Sequence, residues 1–178
     1  MSDKEIGQKM CEEHDLRYFI DAHKYVTGEE LIIVSRSEKP DFICERNGRQ
    51  IGVELTKIIR NPQDAFWDRV INRQDYMNCS HALDFVYKLV ALKTKKKNKG
   101  NWIETILVLQ LMDSALSEIK ILLDKSLQGD FSGSGFFEIW LADYTGLDSY
   151  GKIELFGLYP KKWWGYHRRN NLHYKPYG

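Results

Sequence analysis

Asp41 and Glu54 are the residues of this chain whose types and spacing best suit chemistry. They sit in the stretch 38–58, EKPDFICERNGRQIGVELTKI, on either side of Arg46-Asn47-Gly48-Arg49. Asn-Gly between two strand-like runs is the strongest short-range signal for a β-hairpin, because a type I′ turn needs φ > 0 at both central residues. With Asn47-Gly48 as the turn, Arg46 stands opposite Arg49, and the same register sets Asp41 opposite Glu54. A three-residue loop with a bulge would shift that register by one. Side chains directly opposite share a face about 4.5–5.5 Å apart at Cβ, and like charges so placed destabilise a sheet. Ile43 and Gly52 flank the pair on its face, while Phe42, Cys44, Val53 and Leu55 take the other. Two acids in an apolar hairpin need a cation, a shared proton or a basic partner. A divalent ion held by carboxylates and water, Mg²⁺ or Mn²⁺, is the economical answer. Gly52 would leave space for a ligand beside Glu54.

The elements that must carry these residues follow from periodicity. A helix is predicted over 3–24, with Ile6, Met10, Leu16, Phe19 and Ile20 as an imperfect apolar stripe that Thr27-Gly28 stops. Leu31-Ile32-Ile33-Val34 reads as a buried strand, and 41–45 and 50–58 are the hairpin strands. Asn61-Pro62 ends the last of these. A long helical region then runs from Asp64 to roughly Lys96, with a break near Asn78-Cys79-Ser80. The lysine run 95–99 closes it, where cations complement the helix macrodipole. A strand over 102–111 precedes a helix over about 115–127, capped by Asp113-Ser114. Two more strands, 136–142 and 152–158, follow the loop 129–135. The order α-β-β-β-α-β-α-β-β predicts an α/β fold, a three-layer α/β/α sandwich around a central mixed β-sheet. Neither a repeat nor a linker splits the chain, so one domain over 1–178 is expected, with an aromatic and basic arm at about 159–178.

Pro40-Asp41 and Glu54-Leu55-Thr56 resemble the motif of the PD-(D/E)XK nuclease superfamily, the restriction-endonuclease-like fold. Pro40-Asp41 matches its PD, and Glu54-Leu55-Thr56 occupies its (D/E)XK. The order helix, three strands, helix, strand over about residues 3–111 fits as well. The resemblance implies a Mg²⁺- or Mn²⁺-dependent endonuclease-like hydrolase acting on DNA rather than RNA. It implies that Asp41 and Glu54 bind the metal, that the Leu55 carbonyl adds a ligand, and that the metal activates a water for attack on a phosphodiester. An acidic residue of the first helix often joins such sites; Glu12 and Glu13 are candidates, as is Glu30.

The departure is at the lysine, where Thr56 stands. Lys57 follows it, but strand alternation points Lys57 to the opposite face. Three readings stay open. Lys57 swings in through a bulge, a lysine of the following helix with Lys88 foremost reaches the site, or the site is catalytically silent. A silent site would leave a nuclease-fold module that binds nucleic acid or a protein partner. A third function is an unrelated α/β interaction protein whose hairpin acids are solvated.

Cations outside the hairpin have two uses. Lys95, Lys96 and Lys97 form either a solvated helix end or a set of phosphate contacts. The run Lys161-Lys162-Trp163-Trp164-Gly165-Tyr166-His167-Arg168-Arg169 mixes charge with rings. It suits nucleic acid, with Lys161, Lys162, Arg168 and Arg169 on phosphates and rings on bases. It equally suits a packing arm at a core or dimer interface. The histidines show no metal-ligand spacing.

Composition limits the classes. In 178 residues, 26 Lys+Arg stand against 25 Asp+Glu, so a uniformly basic nucleic-acid binder is excluded while a local basic groove is not. With 43% hydrophobic and 29% charged residues, wholesale disorder is excluded too. A chain this small has little room for a separate target-recognition domain, so specific cleavage of duplex DNA would call for a homodimer or a targeting partner. Cys11, Cys44 and Cys79 make no CxxC pair, and no apolar run approaches the roughly 18–20 residues of a membrane span. The charged start at Met1-Ser2-Asp3-Lys4-Glu5 does not read as a signal peptide, so a reduced, cytoplasmic protein is expected.

Overall fold

The computed structural model describes residues 2–59, 75–76, 82–119 and 131–168. Helix α1 (Asp3–Thr27) opens on a capping box between Ser2 and Glu5 and closes at Gly28, whose φ of 76° is left-handed. Only its second half has a buried face: Leu16, Phe19, Ala22 and His23. Strands β1 (Ile32–Arg36), β2 (Phe42–Arg46) and β3 (Arg49–Ile59) form an antiparallel meander. The two-residue strand β4 (Asp75–Tyr76) lies parallel to the end of β3. Helix α2 (Ala82–Lys99) leads to β5 (Thr105–Leu111), and β6 (Glu138–Asp143), the short helix α3 (Leu147–Tyr150), β7 (Glu154–Tyr159) and β8 (Gly165–His167) follow.

The sheet runs β1-β2-β3-β5-β6-β7-β8, with β4 pairing β3 off this path. Its centre, β3-β5-β6, is parallel, and its flanks are antiparallel. Every residue of β5 and β6 is buried. That is the signature of strands covered on both faces. On one face Leu16, Phe19 and Ala22 of α1 pack against Phe42, Val53, Val108 and Trp140. On the other, Val86, Leu89 and Val90 of α2 pack against Ile58, Leu109 and Leu141. The expected layering of helix, mixed sheet and helix is therefore present.

Three expectations change. Strand β1 is an exposed edge that pairs only β2; Ile32 and Val34 are about half accessible, and of its residues Ile33 packs on the α1-side core. Asp75–Tyr76 is strand rather than helix, since the end of β3 offers its backbone a parallel partner. The tail also has structure: a 3₁₀ turn (Lys161–Trp163) and β8 extend the sheet. Residues 116–119 are helical as expected, whereas 120–130, 60–74 and 77–81 lie outside the described residues. Among those described, no helix is long and apolar enough to cross a membrane.

Candidate active site

The hairpin adopts the register read from its turn. Asn47 (φ 51°) and Gly48 (φ 79°) are both left-handed, and the ladder runs from Arg46 opposite Arg49 to Phe42 opposite Val53. One step further stand Asp41 and Glu54. Here β2 has ended and β4 has not begun, because β3 is eleven residues long and β4 joins it only at Ile58. The side chain of Asp41 fills the break. Its Oδ2 accepts the Leu55 N–H at 2.9 Å, and its own N–H donates to Glu54 Oε1 at 3.2 Å. A residue's N–H and C=O leave a strand on the same edge, so the Leu55 carbonyl faces this break too.

The third member comes from α2. Lys93 Nζ donates to Glu54 Oε2 at 3.1 Å, with side chains only 13% and 9% exposed. Glu54 thus has a basic partner. Asp41 has none among the described residues, and it is pushed up to about 8 by burial first and by the Glu54 charge second, against the pull of the Leu55 N–H. The Glu12 charge on α1 adds to the push.

The lysine from the following helix is therefore Lys93, not Lys88. Lys88 is exposed, beside Leu92 and Lys95 in a shallow groove on the outer side of α2. Five residues separate the two lysines, about 140° around a helix. A signal for Lys93 exists in the sequence: with Val86, Val90 and Lys97 it falls on the helical face of the core-facing valines. A lysine in an apolar stripe calls for a partner. Lys57 does not swing in. The β3–β5 register is unbroken from Gly52 to Ile58, and Lys57 lies on the α1 face, where its charge acts on Asp15. Thr56 shares the Glu54 face, is 7% exposed, and its hydroxyl has no hydrogen-bond partner among the described residues.

Other candidates separate clearly. Glu13 is held by Arg36 and Arg17, and Glu30 faces Lys24 at the surface. Glu12 is the first-helix acid whose charge reaches the pair. Among the described residues, however, no three His, Cys, Asp or Glu side chains gather as a metal-holding group. The space at Gly52 is not a ligand's: a Cβ there would lie 2.3 Å from Pro40 Cγ, so the proline ring occupies it.

The expected phosphate contacts do not converge on the acids. Lys95 and Lys96 are exposed, and Lys97 is half-buried over the Phe136 ring at 5.9 Å. Lys161 and Lys162 follow β7, two strands beyond β5. Lys162 lies over the Trp163 ring and lines a cavity of about 420 Å³ with Arg46 and Glu138. Arg168 lies over the Tyr166 ring, and Arg169 is outside the described residues. Trp163 packs on the α1-side core and Trp164 against Phe156, so the described part of the arm, 159–168, packs on the sheet. Glu138, at that cavity, is already engaged by His23 at 2.7 Å, Trp140 at 2.8 Å and Arg46 at 3.5 Å.

The donors at the break are all oxygen: two carboxylates and a backbone carbonyl. Such a set fits a hard divalent cation, Mg²⁺ or Mn²⁺. Burial first and the Glu54 charge second raise Asp41, and a bound cation of this kind would offset both. No family model, curated protein or solved structure matches this chain.

Proposed function

We propose that this protein is a metal-dependent nuclease that hydrolyses phosphodiester bonds, in DNA rather than RNA. The observation that carries the reading is the meeting of Asp41, Glu54 and Lys93 at one break in the sheet. The preference for DNA rests on the resemblance of Pro40-Asp41 and Glu54-Leu55-Thr56 to the PD-(D/E)XK superfamily. Helix, three strands, helix and strand in one mixed sheet support the same family. Asp41, Glu54 and the Leu55 carbonyl would hold Mg²⁺ or Mn²⁺. The bound ion would lower the pKa of a water for attack and neutralise charge developing on the phosphate. Lys93, fixed by the core-facing side of α2, brings a cation to the same place and replaces the lysine that Thr56 displaces from the motif. Preorganised charge of this kind, in a site closed to water, is a large term in catalysis.

The test is cleavage of linear, circular and single-stranded DNA and of RNA, in Mg²⁺, Mn²⁺ and EDTA. Wild type is expected to cut DNA only with metal. Asp41→Ala and Glu54→Ala should abolish cutting, Lys93→Ala should slow it about 10²-fold or more, and Lys88→Ala should leave it unchanged. Folded, monodisperse wild type that cuts no substrate would overturn the nuclease and favour a silent module of the same fold.

A further inference from the structure

Both oxygens of Glu54 are engaged by groups of the protein itself. Oε2 accepts the Lys93 ammonium at 3.1 Å, and Oε1 accepts the Asp41 N–H at 3.2 Å. The ion pair is nearly closed to water, with the Lys93 side chain 13% exposed and that of Glu54 9%. A buried carboxylate needs such a partner, because an unpaired charge in that place is strongly destabilising.

A divalent ion held by Asp41 and Glu54 needs one of those two oxygens. No third His, Cys, Asp or Glu gathers with them among the described residues, so the ion has no other side chain of that kind to use instead. The two partners of Glu54 differ in how readily they yield. The Asp41 N–H belongs to the backbone next to Pro40, whose ring lies on Gly52. The Lys93 ammonium ends a flexible four-carbon stem on α2. Sharing Oε2 is unfavourable as well. A metal at its usual distance of about 2.1 Å from that oxygen would stand within roughly 5 Å of the ammonium, and two cations so close repel. Water screens such a pair little where both partners are buried.

We infer that Lys93 and the divalent ion compete for Glu54 Oε2, so that metal binding turns the ammonium away from that oxygen. The inference rests on the metal site of the nuclease reading and deepens it. Lys93 offsets the buried Glu54 charge until the ion arrives, and it weakens the hold of the acids on that ion. The lysine and the metal exchange places on one carboxylate oxygen, and the ammonium stays charged throughout.

The test is calorimetric titration of Mn²⁺, without nucleic acid, into wild type, Lys93→Met, Lys93→Arg and Lys88→Met. It is run at pH 9, above the range in which Asp41 keeps its proton. Lys93→Met should bind Mn²⁺ about tenfold tighter or more. Lys93→Arg, which keeps the charge, should bind no tighter than wild type, and Lys88→Met should bind as wild type does. Equal or weaker binding by folded Lys93→Met would overturn the inference and leave the metal site standing. Should Lys93→Met not fold, wild type decides. The Cε resonance of Lys93, assigned by its absence from Lys93→Arg, should shift as Mg²⁺ is added and level off as the site fills. A resonance that stays in place while Mg²⁺ binds would overturn the inference too. If wild type binds neither ion, the metal site fails and this inference fails with it.

Discussion

Asp41 and Glu54 share one problem and solve it unequally. Glu54 has Lys93 at 3.1 Å, while Asp41 has one backbone N–H and the charges of Glu54 and Glu12 against it. Folding therefore tightens the hold of Asp41 on its proton, from an ordinary value of 3.8 to about 8. Below the lower value both folded and unfolded chains carry the proton. Between the two only the folded chain does, so metal-free stability falls as pH rises through that window and levels off above about 8. Denaturant midpoints from pH 4 to 9 in EDTA should show this fall, and Asp41→Asn should remove most of it. A flat wild-type profile would mean that Asp41 is ionised throughout. At this scale the sequence was legible where the argument was local. The turn set the register, and the register set the acids. Lys93 went unseen because it meets Glu54 from 39 residues away, by tertiary packing of α2.

The hairpin is the element that makes the site, and it does so by stopping early. Strand β2 starts only at Phe42, just after Asp41, and on that edge β3 has no strand partner until β4 meets it at Ile58, while β5 pairs its other edge throughout. Pro40 holds that end in place by lying on Gly52, where a Cβ would be 2.3 Å from the ring and 2.7 Å from Thr105 Oγ1. Gly52→Ala should therefore push Pro40 and Asp41 outward, costing about 1–3 kcal/mol by overpacking and weakening metal-dependent activity at the same time. Denaturation and cleavage of that one variant check both; unchanged stability would show that Pro40 yields freely. Hairpin strands and α1 could be read from the chain because their signals are short-range: Asn-Gly at the turn, and for α1 the apolar stripe from Ile6 to Ile20 with its stop at Thr27-Gly28. Strand β4 could not. Asp75 and Tyr76 take their conformation from the distant edge of β3, which no local pattern encodes.

At the scale of the molecule, two core layers divide the labour. The α2 side carries Glu54, Thr56 and Lys93, and the α1 side carries the aromatic cluster of Phe19, His23 and Trp140. The C-terminal arm closes that second layer. Trp163 packs near Trp140, and the Trp163 carbonyl sits so close to Gly157 that any Cβ there would collide with it. Trp163→Ala should accordingly destabilise the protein by about 2 kcal/mol or more, whereas Lys161→Ala with Lys162→Ala should stay within about 0.5 kcal/mol of wild type. An arm that served nucleic acid alone would give no stability loss for the tryptophan. Its composition of rings and cations fits both uses; the packing of Trp163 and the pairing of β8 with β7 are features of the first.

Calorimetric titration of Mn²⁺ into the metal-free protein asks directly whether Asp41 and Glu54 hold a divalent cation. Because Asp41 holds its proton up to about 8, binding at pH 7 should release about one proton per ion, read from the buffer dependence of the heat, and about none at pH 9. Asp41→Asn and Glu54→Gln should each abolish the heat. Absence of binding in wild type, or binding that survives both substitutions, would contradict the site proposed here.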